Sequence, residues 1–108
     1  MKDLRVVLRP LGLSGRYKGF RQLCCALELT TKEPERLSAV RESVCKEVAR
    51  EFNCSWGSVD RNFRTIIARA WKVNPVLLSE MAKDYPLTKK PSVGEFLELL
   101  TTYILRED

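Results

Sequence analysis

Residues 48–71 read VAREFNCSWGSVDRNFRTIIARAW. Val48, Ala49 and Phe52 close one apolar stripe. Val59, Phe63, Ile66, Ile67 and Ala70 make a second, with helical spacing on both sides of a short break. Asn53 suits the left-handed residue that ends a helix, and Ser55 suits the cap that begins the next. Only one or two residues separate the two helices. A helix, a tight turn and a second helix in this order is the unit that many DNA-binding proteins use, with the second helix laid in the major groove.

The second helix can be tested by turning it at 100° per residue. With Val59 at zero, Phe63, Ile66, Ile67 and Ala70 fall between about −20° and 80°, which predicts the buried side. Arg61, Arg64, Thr65 and Ala68 fall between about 140° and 240°, on the opposite side. Asp60 lies at the edge, next to Arg64. Arginine pairs bidentately with the O6 and N7 of guanine, and a carboxylate accepts from the N4 of cytosine. Ala68, and Gly57 at the helix entry, leave room for close approach.

The same periodicity extends outward. Leu4, Val7, Leu8 and Leu11 form a short stripe ending at Gly12. Tyr17, Phe20, Leu23, Cys24 and Leu27 predict a second helix ending near Thr30. A third starts at 31–34, with Pro34 in its first turn, and runs through Leu37, Val40, Val44 and Val48 to Phe52. The fourth covers about 55–71 and is stopped by Asn74-Pro75. Val76, Leu77, Met81 and Ala82 predict a short fifth. A loop over 84–91 precedes Ser92-Val93-Gly94-Glu95, a capping box that opens the last helix with Phe96, Leu99, Leu100, Tyr103 and Ile104 inside. No alternating run is long enough for a strand. The expected class is all-α, about six helices with a helix-turn-helix unit, as one domain over residues 1–108.

Composition narrows the chemistry. The chain has 108 residues, 44% of them hydrophobic, which suits a folded core. It has no histidine, so no imidazole base and no histidine metal ligand are available. There is no Gly-rich phosphate loop with a GK[ST] ending. No enzyme and no cofactor are expected. The four cysteines, Cys24, Cys25, Cys45 and Cys54, have no CxxC spacing and read as reduced, mostly buried small side chains. Neighbours Cys24 and Cys25 point about 100° apart on a helix, which fits one tetrahedral zinc site poorly. Trp56 and Trp71 read as core residues rather than as a platform for stacked bases. No apolar run is long enough to span a membrane, and no signal peptide is legible at the start, so a cytoplasmic location is expected.

Lys and Arg number 19 against 14 Asp and Glu, a net charge of +5. Residues 1–22 hold six basic side chains (Lys2, Arg5, Arg9, Arg16, Lys18, Arg21) and one acid, Asp3. Residues 54–72 hold four basic ones (Arg61, Arg64, Arg69, Lys72) and one acid, Asp60. The segments that follow each are neutral to acidic. Two basic segments suggest one basic face for a polyanion.

Four stretches, in order and with matching spacing, resemble the C-terminal DNA-binding domain of the stage-zero sporulation master regulators of endospore-forming Firmicutes. They are Leu11-Gly12 with Lys18-Gly19-Phe20 (the family's G…KGY), Val48-Ala49-Arg50-Glu51-Phe52-Asn53 (IAKKFN), Ser58-Val59-Asp60-Arg61-Asn62-Phe63-Arg64 with Ala70-Trp71 (RVERAIR…AW), and Lys90-Pro91-Ser92-Val93-Gly94-Glu95-Phe96 (KPTNSEF). The resemblance covers nearly the whole chain. It implies a six-helix transcription regulator that inserts its recognition helix into double-stranded promoter DNA. It implies base reading by the acid and two arginines of the family's ERxxR stretch, which fall on Asp60, Arg61 and Arg64. The family's glutamate is aspartate here, one methylene shorter.

Ser55, Ser58 and Thr65 are candidate phosphate contacts near a helix N-terminus. Lys18, Arg69 and Lys90 are phosphate candidates by charge. A dimer on DNA is a candidate state. Residues 1–108 are expected to be the effector domain alone, either as an excised fragment or as a stand-alone relative without the receiver, so the family's phosphorylation switch is not carried over. The alternative reading is a protein-interaction module on the same fold, contacting an RNA polymerase sigma subunit or another regulator. The loop 85–90 and the acidic C-terminal half would provide its surface.

Overall fold

The computed structural model describes residues 2–83 and 87–106. Helix α1 (Leu4–Leu8) starts at Asp3, whose carboxylate accepts from the N–H groups of Arg5 and Val6. A 3-10 turn (Arg9–Leu11) continues it and stops at Gly12, which takes a left-handed φ of 77°. Helix α2 (Phe20–Lys32) follows Gly19, also left-handed at φ 89°. Tyr17, expected inside this helix, lies ahead of it. The glycine turn, not the apolar spacing, decides where α2 begins.

The third predicted helix is regular only at its end. It starts as a 3-10 segment (Pro34–Ala39), widens into a π-helical turn (Arg41–Cys45), and becomes α3 (Lys46–Glu51). The mixed winding turns both Val44 and Cys45 into the core while leaving Arg41 and Glu42 outside. Helix α4 (Trp56–Val73) is the longest. Asn74 closes it and at once caps α5 (Pro75–Ala82), accepting from the Leu77 N–H at 3.1 Å. The capping box at Ser92 is complete in both directions and opens α6 (Val93–Leu105).

The architecture is all-α. It has six α-helices, with a 3-10 and a π segment leading into α3, and no strand occurs among the described residues. The core lies where α2, α4 and α6 meet. Leu23 and Leu27, Phe63 and Ile66, and Phe96 and Leu100 are all fully enclosed there. Each such side chain contributes roughly 1.5–3 kcal/mol by leaving water. Thr30 and Thr101 are the buried polar side chains among the described residues, and their hydroxyls lie 2.7 Å apart between α2 and α6.

The cysteines depart from expectation. Cys45 is buried, Cys24 and Cys25 are half-buried, and Cys54 is exposed. Cys54 sits in the tight turn before α4, where the chain runs at the surface. Trp71 packs against the core, but Trp56 remains 37% exposed. Trp56 is the first residue of α4, so no preceding turn covers its ring.

Candidate nucleic-acid interface

The junction between α3 and α4 is set by backbone hydrogen bonds. The Cys54 N–H donates to the Ala49 carbonyl at 2.9 Å, and the Asn53 N–H to the Arg50 carbonyl at 3.3 Å. Asn53 stands at φ 53°. This is a Schellman closure, which satisfies the last carbonyls of α3 and reverses the chain within two residues. Ser55 is then extended, and its hydroxyl oxygen accepts from the Ser58 N–H at 3.1 Å, capping α4.

Helix α4 has the two faces that its periodicity predicts. Val59, Phe63, Ile66, Ile67 and Ala70 are buried, while Arg61, Arg64, Thr65 and Ala68 are exposed. Asp60 sits at the boundary. Its Oδ2 takes an ion pair from the Arg64 Nε at 2.8 Å, and the Arg64 side chain stays largely exposed. The Arg61 guanidinium has no ion pair among the described residues. The Thr65 hydroxyl donates to the Arg61 carbonyl at 3.2 Å, so its proton is committed to the helix. Nothing lies within 4 Å of where a Cβ on Gly57 would stand, so the approach to the helix entry is open.

One border of this face is the start of α2. Gly19 packs so closely on α4 that a Cβ there would stand 2.7 Å from the Asn62 Cβ. Beside it, the Asn62 Nδ2 donates to the Gln22 Oε1 at 3.0 Å, and the Gln22 Nε2 donates to the Cys54 sulfur at 3.7 Å. Gln22 therefore joins the turn and α4 to α2, and Lys18, which precedes Gly19 in the chain, is exposed. Arg69, further along, lies with its guanidinium 5.5 Å from the Tyr17 ring centre. Lys90 is exposed ahead of α6, and no hydrogen bond, ion pair or ring contact among the described residues joins it to α3 or α4.

The opposite border is the π turn. The Arg41 guanidinium lies over the Trp56 ring, 4.6 Å from its centre. Behind them, burial pushes the Cys45 thiol up to about 11; the Asp60 charge adds to this and the Arg41 charge opposes it. Neither Arg41 nor Trp56 was a candidate from sequence. Trp56 falls at an angle of the wheel that belongs to the core stripe further along α4. The one available signal was its place in the first turn, where that stripe has nothing to pack on.

A capped tight turn between two helices, with an arginine-bearing outer face on the second, is a helix-turn-helix arrangement. The chain matches over residues 4–104 the family described as the sporulation initiation factor Spo0A C terminal, and it belongs to that family. It is thus a DNA-binding effector domain of a response regulator. Among the described residues, no helix is long and apolar enough to cross a membrane.

Proposed function

We propose that α4 is the recognition helix of a sequence-specific transcription regulator of double-stranded DNA. Arg61 and Arg64 read guanines in the major groove, and Asp60 reads a cytosine N4 at their edge. The observation that carries this is the division of α4. A continuous buried stripe fixes the helix rigidly, and both arginines project from the opposite side. The Ser55 hydroxyl, whose oxygen already caps the helix, keeps a proton to donate to a phosphate, and Ser58 lies one turn along. Thr65 first has to release the Arg61 carbonyl. Lys18, Arg69 and Lys90 add sequence-independent attraction.

Selection from random duplex DNA, followed by titration of the Arg61→Ala and Arg64→Ala variants, tests the assignment. Each variant is expected to lose about 1–3 kcal/mol on the selected duplex and little on a scrambled one. Equal losses on both duplexes overturn it.

A second reading, contact with an RNA polymerase sigma subunit, is supported by an apolar groove of about 470 Å³ between α1, α5 and α6, lined by Val6, Val7, Leu77 and Met81. It uses neither α3 nor α4, so it is compatible with DNA binding. The loop 85–90, first offered for this role, lies partly outside the described residues. If the groove is used, Val6→Glu, at a side chain 70% exposed, reduces sigma-subunit capture and leaves duplex binding intact. Unchanged capture removes this reading.

A further inference from the structure

Resting on the reading of α4 as the recognition helix, we propose that Arg41 and Trp56 form one phosphate-gripping unit at its flank. In this unit the indole holds the guanidinium ready for the DNA backbone. Trp56 opens α4 and keeps more than a third of its surface in water, although a tryptophan gains more than any other side chain by burial. The exposed guanidinium of Arg41 covers its ring at 4.6 Å. A cation over an indole face is held electrostatically, and its N–H edges still point outward.

The charges around the pair leave Arg41 unneutralised. Glu42, its neighbour in the chain, is paired with Lys46 at 2.9 Å. Asp60, one turn after Trp56 on α4, is paired with Arg64 at 2.8 Å. Arg41 itself has no carboxylate within ion-pair distance among the described residues. A guanidinium with free donors, immobilised on a ring, fits a phosphate in two parallel hydrogen bonds.

Its position decides which phosphate. Trp56 precedes Asp60 by four residues, about 6 Å along the helix. The unit therefore stands beside the N-terminal half of α4, the half that meets base edges in helix-turn-helix domains. The π turn, rather than a regular α turn, keeps Arg41 outside while Val44 and Cys45 enter the core. Local π turns occur often at functional sites. Gly57, next to Trp56, presents no side chain to obstruct the backbone.

The test measures affinity for the selected duplex and a scrambled duplex over a range of NaCl concentrations. The proteins are wild type, Arg41→Ala, Trp56→Ala, Trp56→Phe and the double variant Arg41→Ala/Trp56→Ala, each checked for helicity by circular dichroism. Arg41→Ala is expected to weaken both duplexes alike, on the order of tenfold at low salt, and to reduce the slope of log K against log salt by about one. Trp56→Phe keeps a ring under the cation and stays near wild type. Trp56→Ala repeats part of the Arg41 loss, and the double variant is no worse than Arg41→Ala.

An unchanged salt slope in Arg41→Ala overturns the proposal, as does a loss confined to the selected duplex. Additive losses in the double variant overturn the coupling of the two residues. If Arg41→Ala leaves both duplexes unaffected but abolishes binding of a polymerase subunit, the pair is a protein contact and the proposal falls. Base reading is scored separately by Arg61→Ala on selected against scrambled DNA, so either reading can fail alone.

Discussion

Arg64 and Asp60, two of the three residues assigned to reading bases, are paired with each other, Nε to Oδ2 at 2.8 Å. The arginine is largely exposed and the pair is one helical turn apart, a geometry worth about 0.3–0.5 kcal/mol. A bond that weak gives way readily to a base, but it orients both side chains beforehand.

Asp60→Ala is therefore expected to change melting little, by less than about 0.5 kcal/mol. The same substitution should remove about 1–3 kcal/mol of discrimination at a single base pair. Competition among duplexes that carry each of the four pairs at every position reads this directly. Discrimination retained at all positions would show that Asp60 reads no base.

The contact of Gly19 with α4 predicts a glycine that tolerates nothing else. Gly19→Ala meets both a positive φ of 89° and the Asn62 Cβ at 2.7 Å. The unfavourable backbone alone costs about 1–2 kcal/mol, and the clash adds to it. Asn62→Ala does not relieve the clash, because the atom in the way is Cβ. Gly15→Ala, in open space at negative φ, serves as the control and stays near wild type. Urea denaturation of the three variants gives the comparison.

Gly57 behaves oppositely, because its Cβ position is empty. Alanine in the first turn of α4 raises helix propensity and should stabilise the fold by about 0.5–1 kcal/mol. If the DNA backbone approaches there, affinity falls while stability rises. A variant that gains in both would place the DNA elsewhere.

The buried threonines give an asymmetric pair. The Thr30 hydroxyl also has the Leu27 carbonyl as an acceptor at 3.3 Å, and either hydroxyl can donate across their mutual contact of 2.7 Å; both protons are satisfied when Thr101 donates to Thr30. Thr101→Val leaves Thr30 still donating and costs about 1 kcal/mol. Thr30→Val strands the buried Thr101 hydroxyl and costs up to about 3 kcal/mol. Equal destabilisation of the two variants contradicts this assignment of protons.

The capping box of α6 makes stability depend on acid. The Ser92 N–H and hydroxyl hold the Glu95 carboxyl below its ordinary range. Because the folded value lies below the unfolded one, Glu95 stabilises the fold above the unfolded carboxylate pKa near ~4.3. That contribution disappears as pH falls through the folded value. Glu95→Gln should flatten the acid limb of a plot of melting temperature against pH. Ser92→Ala should cost about 1 kcal/mol at neutral pH through the lost cap.

What the amino-acid order determines here is local. Asn53, Ser55 and Ser92 end or begin helices through bonds to residues at most five positions away, and the stripe from Val59 to Ala70 repeats with the helix itself. Those features place α4, its buried side and its exposed arginines without knowledge of any neighbour. The resemblance carried by Lys18-Gly19-Phe20 and Ser58–Arg64 points the same way, and the family match agrees with it.

The tertiary structure decided whatever depends on a partner distant in the chain. Spacing cannot reveal that Trp56 has no cover, that Arg41 reaches its ring, or that the third helix is wound in three ways to bury Val44 and Cys45 together. Nor can it reveal that Gln22 joins the tight turn to Asn62, or that Thr30 meets Thr101. Helical periodicity reports which side of one helix is apolar, not what lies against that side or where the cover ends. Only the packing of α2, the π turn and α6 around α4 settles that, and with it the two flanks of the candidate DNA face.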